Sequence, residues 1–222
     1  MKKLLKDGEN VIGITNGHIS LQICSSKEAD TVIKEQHYSH KCTRNRFLSF
    51  KINNGNGYLQ LGYGIRPLCK KNISIYITPK NYCEFDRMWL SDELPKNSET
   101  QVISLLLSFI KQTMPHIKFV ITYADESVGN KGIIYKASNA IYLGYIYVDF
   151  YKLPSGERIH PITIWHRHKT RKMSVLQNIY PNIEHICKKT SGAKQHRFLY
   201  VLNKKIADKV LRETRLRSKQ EM

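Results

Sequence analysis

The 222-residue chain has few acidic residues, few cysteines and no long apolar run. No stretch approaches the roughly 20 apolar residues that span a bilayer, so we expect no contact with a membrane interior. Asp7, Glu9 and Asn10 interrupt the lysine-bearing amino terminus before the apolar region of a signal peptide could form. The five cysteines are widely spread, odd in number and without a CxxC pair. They therefore predict reduced thiols in a cytoplasm rather than a disulfide framework.

The shortage of acidic residues gives the chain a strong positive charge. It has 18 Asp and Glu against 36 Lys and Arg, a formal net charge of +18. Residues 151–222 hold 17 of the basic residues but only five acidic ones. This asymmetry indicates a polyanionic partner, and nucleic acid is favoured over a merely solvated surface. An anionic membrane surface is the weaker alternative, because the basic segments form no amphipathic helix with an aromatic face.

The order of the predicted elements indicates a mixed sheet. Capping boxes start helices at Ser25 with Glu28 and at Ser98 with Gln101. Helices are predicted over residues 25–36, 98–114, 132–142 and 204–217, and strands over 47–52, 58–65, 73–78, 83–90, 117–123, 145–151 and 159–165. Strand–helix–strand passages imply crossover connections. We expect an α/β (α+β) fold, with a catalytic core over residues 1–150 and a basic, DNA-binding extension over 151–222 packed on it.

The segment before the second predicted helix is a candidate anion site. Lys96, Asn97, Ser98 and Glu99 follow a strand and begin the helix. The free N–H groups of a helix start can bind phosphate, and the three polar side chains before Glu99 can add hydrogen bonds. Taken alone, the segment is more simply interpreted as an ordinary helix start with Ser98 as its N-cap.

A second candidate follows the buried strand over residues 117–123. Asp125 comes directly after the strand, a Gly-x-x-Gly loop follows, and Tyr135 lies on the next predicted helix. Ligands of open α/β folds bind at this edge of the sheet. Asp125 is a candidate proton acceptor and Tyr135 a candidate proton donor. Loop chemistry and a core tyrosine explain the same residues equally well.

Two further segments carry groups suited to proton transfer. His37, Tyr38, His40 and Cys42 follow the first helix, but their spacing matches no standard zinc pattern. A general base or a structural histidine is therefore favoured over a metal site. On the strand over 83–90, Glu84 and Asp86 share one face, while Arg87 points to the other. Carboxylates on a central strand are costly to bury unless they are paired or functional, which makes both site candidates.

The basic third of the chain interleaves aromatic and cationic side chains. Residues 165–169 and 196–200 contain Arg167, Lys169, His196 and Arg197 among aromatic neighbours. This arrangement suits phosphate contacts combined with stacking on an extruded base. For Phe198 and Tyr200, packing into the core is an equally good interpretation.

Taken together, these segments resemble the Mom family of phage DNA-modification proteins. The similar segments occur in family order over most of residues 33–202, and the set is more specific than any one of them. They are 37–39, 58–63, 84–90, 95–100, 123–126, 132–139 and 196–200. The chain departs from the family pattern at Asn130, where the family has a histidine or arginine, so no catalytic role is assigned there.

The resemblance implies a function beyond what the residues give alone. Its fold resembles that of GNAT acetyltransferases, so residues 95–100 would bind the pyrophosphate of acetyl-coenzyme A or a related acyl-coenzyme A. The implied reaction converts adenine N6 in double-stranded DNA to a carbamoylmethyl or methylcarbamoyl derivative, which shields phage DNA from restriction in the host cytoplasm. Iron is associated with the family, and His37 and nearby carboxylates would be its first ligands to test.

The implied roles are distributed over the candidates already described. His37, Tyr38, Asp125 and Tyr135 would transfer protons or position groups, and Glu84 and Asp86 would orient the base or a metal. Arg87 and Lys136 would join the basic residues of the last third in binding DNA. Two alternatives stay open: an ordinary N-acetyltransferase acting on an amine or protein, and a non-catalytic DNA-coating protein. A homodimer also stays open.

Overall fold

A computed structural model describes residues 3–4, 11–15, 19–64 and 73–220 of the chain. The backbone divides into two compact units. The first comprises residues 1–123, 132–144 and 197–222, and the second comprises residues 124–131 and 145–196. These limits differ from the division expected at residue 150, which concerned catalysis and DNA binding and stays a prediction.

A mixed sheet of nine strands forms the framework, as the α/β expectation required. Its order is β1-β2-β3-β4-β5-β6-β7-β12-β8. The strands are β1 (Lys3–Leu4), β2 (Val11–Thr15), β3 (Ile19–Cys24), β4 (Arg46–Ile52), β5 (Gly57–Gly62), β6 (Tyr82–Leu90), β7 (Phe119–Asp125), β8 (Ile141–Tyr147) and β12 (Lys194–Val201). Pairing is antiparallel from β1 to β6, whereas β6 and β7 run parallel.

Two helices cover opposite faces of the sheet near β4. Helix α1 (Ser26–Gln36) begins at Ser25, whose hydroxyl accepts the Glu28 N–H as the sequence predicts. Its Glu28 carboxylate pairs with Lys51 of β4. Helix α2 (Ser98–Thr113) instead packs Phe109 edge-on against Phe50, with ring centroids 5.5 Å apart. Because neighbouring strand residues point to opposite faces, the two helices sandwich this part of the sheet.

The parallel strands β6 and β7 pair over only part of their length. Their paired residues run from Tyr82 with Phe119 to Phe85 with Thr122. A bulge interrupts the pairing of β6 with β5 at the same level, between the partners of Gln60 and Leu61. Such bulges redirect side chains and often lie beside functional sites. The carboxyl half of β6 thus leads toward α2 at the edge where open α/β folds bind ligands.

The second unit has a small core of its own. A three-stranded sheet in the order β10-β9-β11 is formed by β9 (Phe150–Lys152), β10 (Arg158–Ile159) and β11 (Glu184–Ile186). Helices α4 (Pro161–His168) and α5 (Met173–Ile179) place Ile164 and Leu176 against Tyr151 and Ile183. The ring of Tyr145, where the main segment of this unit begins, lies 6.2 Å from the ring of His196, where it ends.

Three expected elements differ in the structure. Residues 73–78 form turns instead of a strand, because the Ser74 hydroxyl and the Asn81 side chain hydrogen-bond the local backbone. Residues 161–168 form α4, since Pro161 suits the first helical position and His160 Nδ1 caps the Ile162 N–H. The helix predicted over 132–142 is only α3 (Ile133–Ala137); Asn139 then adopts a positive φ of 65°.

The last helix, α6 (Lys204–Gln220), agrees with the sequence prediction and packs Val210 against Phe119 and Leu199. Among the residues that the structure describes, no helix is long and apolar enough to cross a membrane. Cys24, Cys42, Cys83 and Cys187 are free thiols. Cys69, Ile65 at the end of the second predicted strand and the amino-terminal Asp7, Glu9 and Asn10 lie outside the described residues.

Candidate functional site

His37 ends α1 and is held in one tautomer. Its backbone N–H bonds the Ile33 carbonyl, and its ring is only 6% exposed. The Ser39 N–H lies 3.1 Å from Nδ1 and can only donate, so Nδ1 must be the acceptor. In the neutral ring the proton is then on Nε2. His37 therefore presents a hydrogen-bond donor at Nε2, while the lone pair on Nδ1 accepts the Ser39 N–H.

The charge state of His37 follows from its burial. Burial, helped by the positive charges of Arg87 and His40, lowers the pKa of the His37 imidazole from 6.5 to about 4. The ring is consequently neutral near pH 7. A neutral imidazole can polarise a carbonyl by donating a hydrogen bond, a role for which an imidazolium is not required.

Tyr135 of α3 is a second buried donor. Its side chain is 7% exposed and packs against Phe85 and Phe198, with centroids 6.2 and 5.3 Å away. Burial raises the pKa of the Tyr135 phenol to about 12, opposed by a hydrogen bond with Thr122 and by the charge of Arg87. The phenol therefore keeps its proton near pH 7 and can deliver it to a group that gains negative charge.

Arg87 lies close enough to both groups for its charge to act on them. Its guanidinium donates to the carbonyls of Lys41 and Asp86, at 2.8 and 2.6 Å. Its charge acts on both His37 and Tyr135, as their pKa shifts indicate. The ring centroid of Tyr38 lies 4.2 Å from that of His37. Tyr38 also contributes to the raised pKa of Tyr135. The structure thus brings together four sequence-predicted residues from α1, β6 and α3.

Glu84 and Asp86 face the side on which two glycines leave room. A Cβ at Gly62 would lie 2.1 Å from Asp86 Oδ2, and one at Gly64 would lie 2.6 Å from Glu84 Oε1. Asp86 accepts the Thr43 hydroxyl at 2.7 Å, which fixes its orientation. The expected shared face of the two carboxylates agrees with these contacts. The two carboxylates can occupy these places because residues 62 and 64 are glycines, which have no Cβ.

The start of α2 differs from the predicted capping box. Asn97, with φ of 67°, occupies the N-cap and makes no side-chain hydrogen bond to the helix. Ser98 is already helical, and its hydroxyl donates to the Pro95 carbonyl at 2.5 Å. The prediction failed because the left-handed conformation at Asn97 shifts the helix start by one residue. Within the described chain, no side-chain cap thus occupies the first-turn N–H groups.

These N–H groups open into a surface cleft of about 340 Å³. The four predicted cofactor residues, Lys96, Asn97, Ser98 and Glu99, line it together with Leu90, Ser91, Asp92, Leu94 and Pro95. Leu90 lies three residues beyond Arg87 on β6, about 10 Å at strand spacing. An uncapped helix start with an adjacent lysine fits a phosphate group, although Asp92 and Glu99 oppose it electrostatically.

Asp125 belongs to the second unit and is already engaged. Its carboxylate accepts the N–H and hydroxyl of Ser127, at 2.9 and 2.5 Å, and pairs with Arg158 at 2.8 Å. It caps the loop, as the simpler interpretation of this segment held. These three donors hold the Asp125 carboxylate within the second unit.

The predicted DNA-binding residues occupy different environments. Lys136 is exposed and lies 5.2 Å from the Tyr142 ring, whereas Arg197 is half-buried and bonds the Leu143 carbonyl at 2.9 Å. His196 contacts Glu126 at 3.4 Å. Arg167 and Lys169 are exposed at the end of α4. Phe198 and Tyr200 are buried in the core, so they are not free to stack on a base.

Iron has no fitting donor set in the described part of the chain. No three His, Cys, Asp or Glu side chains are grouped there so that they could hold a metal ion. His37 uses Nδ1 within its own loop. We therefore assign no residue of this site to iron.

Several site residues gave no signal in the sequence. Thr43 and Lys41 contact β6 across more than 40 positions, and a threonine in a loop is too common to single out. Thr122 alternates within an apolar strand and bonds the Phe85 carbonyl at 3.1 Å. A buried threonine facing inward on a strand was the only available hint.

Comparison with known proteins places the chain in a family. The profile of the Mom protein family matches residues 18–220. The methylcarbamoylase mom of Escherichia phage Mu is 33% identical over 157 residues, covering 69% of this chain and 65% of that protein. The chain thus spans less than two thirds of that relative's length.

Two solved structures were also compared. A putative acetyltransferase has 9% identity and a TM-score of 0.46, covering 96% of this chain and 99% of its own. A probable GNAT-family acetyltransferase from Chromobacterium violaceum has 9% identity and a TM-score of 0.45, covering 90% and 89%. The sequence match over residues 18–220 is decisive: the chain belongs to the Mom protein family.

Proposed function

We propose that the chain is a DNA-modifying enzyme that transfers an acyl-derived group to adenine N6 in double-stranded DNA. Membership of the Mom family carries this proposal, and a relative named methylcarbamoylase supports the group transferred. The charge of +18 supports a polyanionic substrate. The expected benefit is protection of phage DNA from restriction.

An acyl-coenzyme A is the proposed donor, and the cleft at the start of α2 is its proposed site. The first-turn N–H groups and Lys96 would hold its phosphates. Bound there, the coenzyme would supply an activated acyl carbon on a thiol leaving group. Leu90 at the end of β6 lines the cleft, and Phe85 earlier on the same strand packs against the Tyr135 ring.

The composition of the product limits what acetyl-coenzyme A alone can supply. An acetyl group contains no nitrogen, whereas carbamoylmethyl and methylcarbamoyl groups each contain one. A nitrogen-bearing donor or a second reactant must therefore take part. The proposed residue roles therefore concern only the attack by N6 and the departure of the leaving group.

The site residues divide naturally into donors and acceptors. Adenine N6 is a poor nucleophile because its lone pair is delocalised into the ring, so a proton must be removed as the new N–C bond forms. Asp86 is the proposed acceptor, held by Thr43. His37 Nε2 would donate to the acyl oxygen, and the Tyr135 phenol would protonate the departing sulfur. Reaching N6 in a duplex also requires extrusion of the base.

Nucleoside analysis tests the proposal directly. DNA from host cells that express the chain would be digested, and its adenine nucleosides compared by tandem mass spectrometry with synthetic standards. Carbamoylmethyl and methylcarbamoyl groups are isomers, so fragmentation rather than mass must distinguish them. Unmodified adenine despite good expression would contradict the proposal. An acetylated amine or protein in its place would indicate an ordinary acetyltransferase.

Neutralising a positive or a negative charge within the cleft should have opposite effects on donor binding. Lys96→Ala should weaken acyl-coenzyme A binding about fivefold to tenfold, through loss of a charge-assisted hydrogen bond to phosphate. Asp92→Asn, in the same cleft, removes a repelling charge and should leave binding equal or tighter. Titration calorimetry measures both. If Asp92→Asn weakens binding, or if Lys96→Ala leaves the affinity unchanged, the coenzyme binds elsewhere.

Removal of the Tyr135 hydroxyl should impair turnover more than binding. Tyr135→Phe keeps the packing against Phe85 and Phe198 but removes the proton donor. We expect kcat to fall about 100-fold with KM nearly unchanged. Tyr142→Phe, which changes an exposed phenol near Lys136, is the matched control. An unchanged kcat in the Tyr135 variant would remove the phenol from the reaction.

A further inference from the structure

The helices α4 and α5 form a strongly cationic part of the second unit. They are separated by a turn over residues 169–172. Between Glu157 and Glu184 the sequence has no acidic residue but five basic ones. Four of them, Arg167, Lys169, Arg171 and Lys172, lie at the end of α4 or in the turn, and all four are exposed.

The turn is held in one conformation. The buried Tyr151 donates its hydroxyl to the Arg171 carbonyl at 3.3 Å, and Thr170 Oγ1 accepts the Lys172 N–H at 3.1 Å. Lys169 adopts a positive φ of 53°, and its N–H bonds the Trp165 carbonyl at 2.8 Å. The cations are therefore displayed from a fixed backbone anchored on the core of the unit, which lowers the entropic cost of binding.

Apolar side chains are exposed beside these cations. Ile162 and Trp165, one helical turn apart on α4, are 42% and 47% exposed. Ile164 of the same helix is buried in the core of the unit, whereas Ile162 and Trp165 are not part of that core. A large indole in solvent, next to a row of cations, is typical of a binding surface rather than of a solvated helix.

We propose that α4, the 169–172 turn and α5 form a module that docks on double-helical DNA. The four cations contact backbone phosphates, and Ile162 with Trp165 contacts base edges in a groove. This inference rests on the proposed function and extends it, because it assigns the duplex to one surface. Two short helices with a cationic turn and an apolar pair combine the two contact types that a duplex offers.

Salt-dependent duplex binding tests the cationic part. A triple variant, Arg167→Gln, Lys169→Asn and Lys172→Gln, removes three charges, and asparagine tolerates the positive φ at position 169. The control triple, Lys27→Gln, Lys34→Gln and Lys80→Gln, removes three exposed charges from the first unit. Fluorescence anisotropy with a labelled duplex, without any acyl donor, gives affinity as a function of salt.

The two triples should behave differently. The turn variant should bind on the order of 100-fold more weakly at 0.1 M salt, and its log–log salt slope should decrease in magnitude by about 3. The control should keep most of the slope. Equal losses in both triples would overturn the module. The assay contains no acyl donor, so it tests binding separately from the reaction. If the duplex binds through the turn but adenine stays unmodified in cells, only the proposed reaction is refuted. If adenine is modified but binding does not depend on the turn, only this inference is refuted.

Trp165 reports on the apolar part and on the rival partners. The chain has two tryptophans, so Trp89→Phe leaves Trp165 as the only indole. Duplex DNA should quench its fluorescence if it contacts bases. The same titration with phosphatidylglycerol vesicles should give no blue shift. If the Trp165 fluorescence does not respond to duplex DNA, the proposal is overturned. A blue shift with vesicles in that case would indicate a membrane surface as the partner.

Discussion

Replacing Gly64 with alanine should lower the free energy of unfolding by about 2 to 5 kcal/mol. Part of this cost, about 1 to 2 kcal/mol, comes from the φ of +80°, which an L side chain adopts unfavourably. The rest, about 1 to 3 kcal/mol, comes from overpacking. The new Cβ would lie 2.5 Å from Tyr82 Oη and 2.6 Å from Glu84 Oε1, and both of these side chains are buried on β6.

Gly129→Ala separates the two contributions. Gly129 has the same φ of +80°, but its Cβ would have no neighbour within 4 Å. It should therefore show only the conformational part of the loss in urea unfolding. Removing the Tyr82 hydroxyl should partly rescue the Gly64 variant, so that the double variant Gly64→Ala with Tyr82→Phe loses less than the sum of its parts. Equal losses at positions 64 and 129 would show that Glu84 and Tyr82 are not confined as described.

Acid should destabilise the protein through His37. Burial lowers its pKa in the folded state to about 4 from 6.5, so between these values the unfolded chain binds a proton that the folded chain does not. Stability is therefore fully present above pH 6.5 and is lost as the pH falls to about 4. At 1.36 kcal/mol per pH unit, the shift corresponds to a loss of about 3 kcal/mol.

His37→Asn isolates this contribution. The asparagine carbonyl can accept the Ser39 N–H in place of Nδ1, but it does not titrate. Urea unfolding from pH 7 to pH 4 should show a loss about 3 kcal/mol smaller in the variant than in the wild type, while other groups titrate alike in both. Parallel profiles would mean that the imidazole is not buried in its neutral form. NMR titration of the His37 ring gives the folded-state pKa independently.

Short sequence motifs predicted those elements whose ends depend only on neighbouring residues. Ser25 with Glu28 predicted the start of α1 because a capping box lies within four residues. The same pattern at Ser98 was misleading, since the backbone conformation of Asn97 decides where α2 begins. His160–Pro161 is a helix-start signal that a count of apolar residues overlooked, so α4 was interpreted as a strand.

The candidate site was predictable in its residues but not in its contacts. A pattern along the chain identified His37, Asp86, Arg87 and Tyr135, because each follows or interrupts an apolar element. It could not reveal that Arg87 bonds the Lys41 carbonyl or that Asp86 accepts the Thr43 hydroxyl. Those contacts depend on the order of strands in the sheet. Asp125, found by the same reasoning, instead pairs with Arg158 within the second unit.

The chain enters and leaves the main segment of the second unit at neighbouring points. Tyr145 and His196 place their rings 6.2 Å apart, and the intervening residues have a hydrophobic core of their own. A loop whose ends already lie together can lengthen or shorten at little entropic cost, about 0.6 kcal/mol for each doubling. Evolution can therefore exchange or resize this inserted segment while the strands that carry it keep their register. Under the proposed docking of DNA on this unit, the DNA-binding surface and the reaction site can then diverge at different rates within the family.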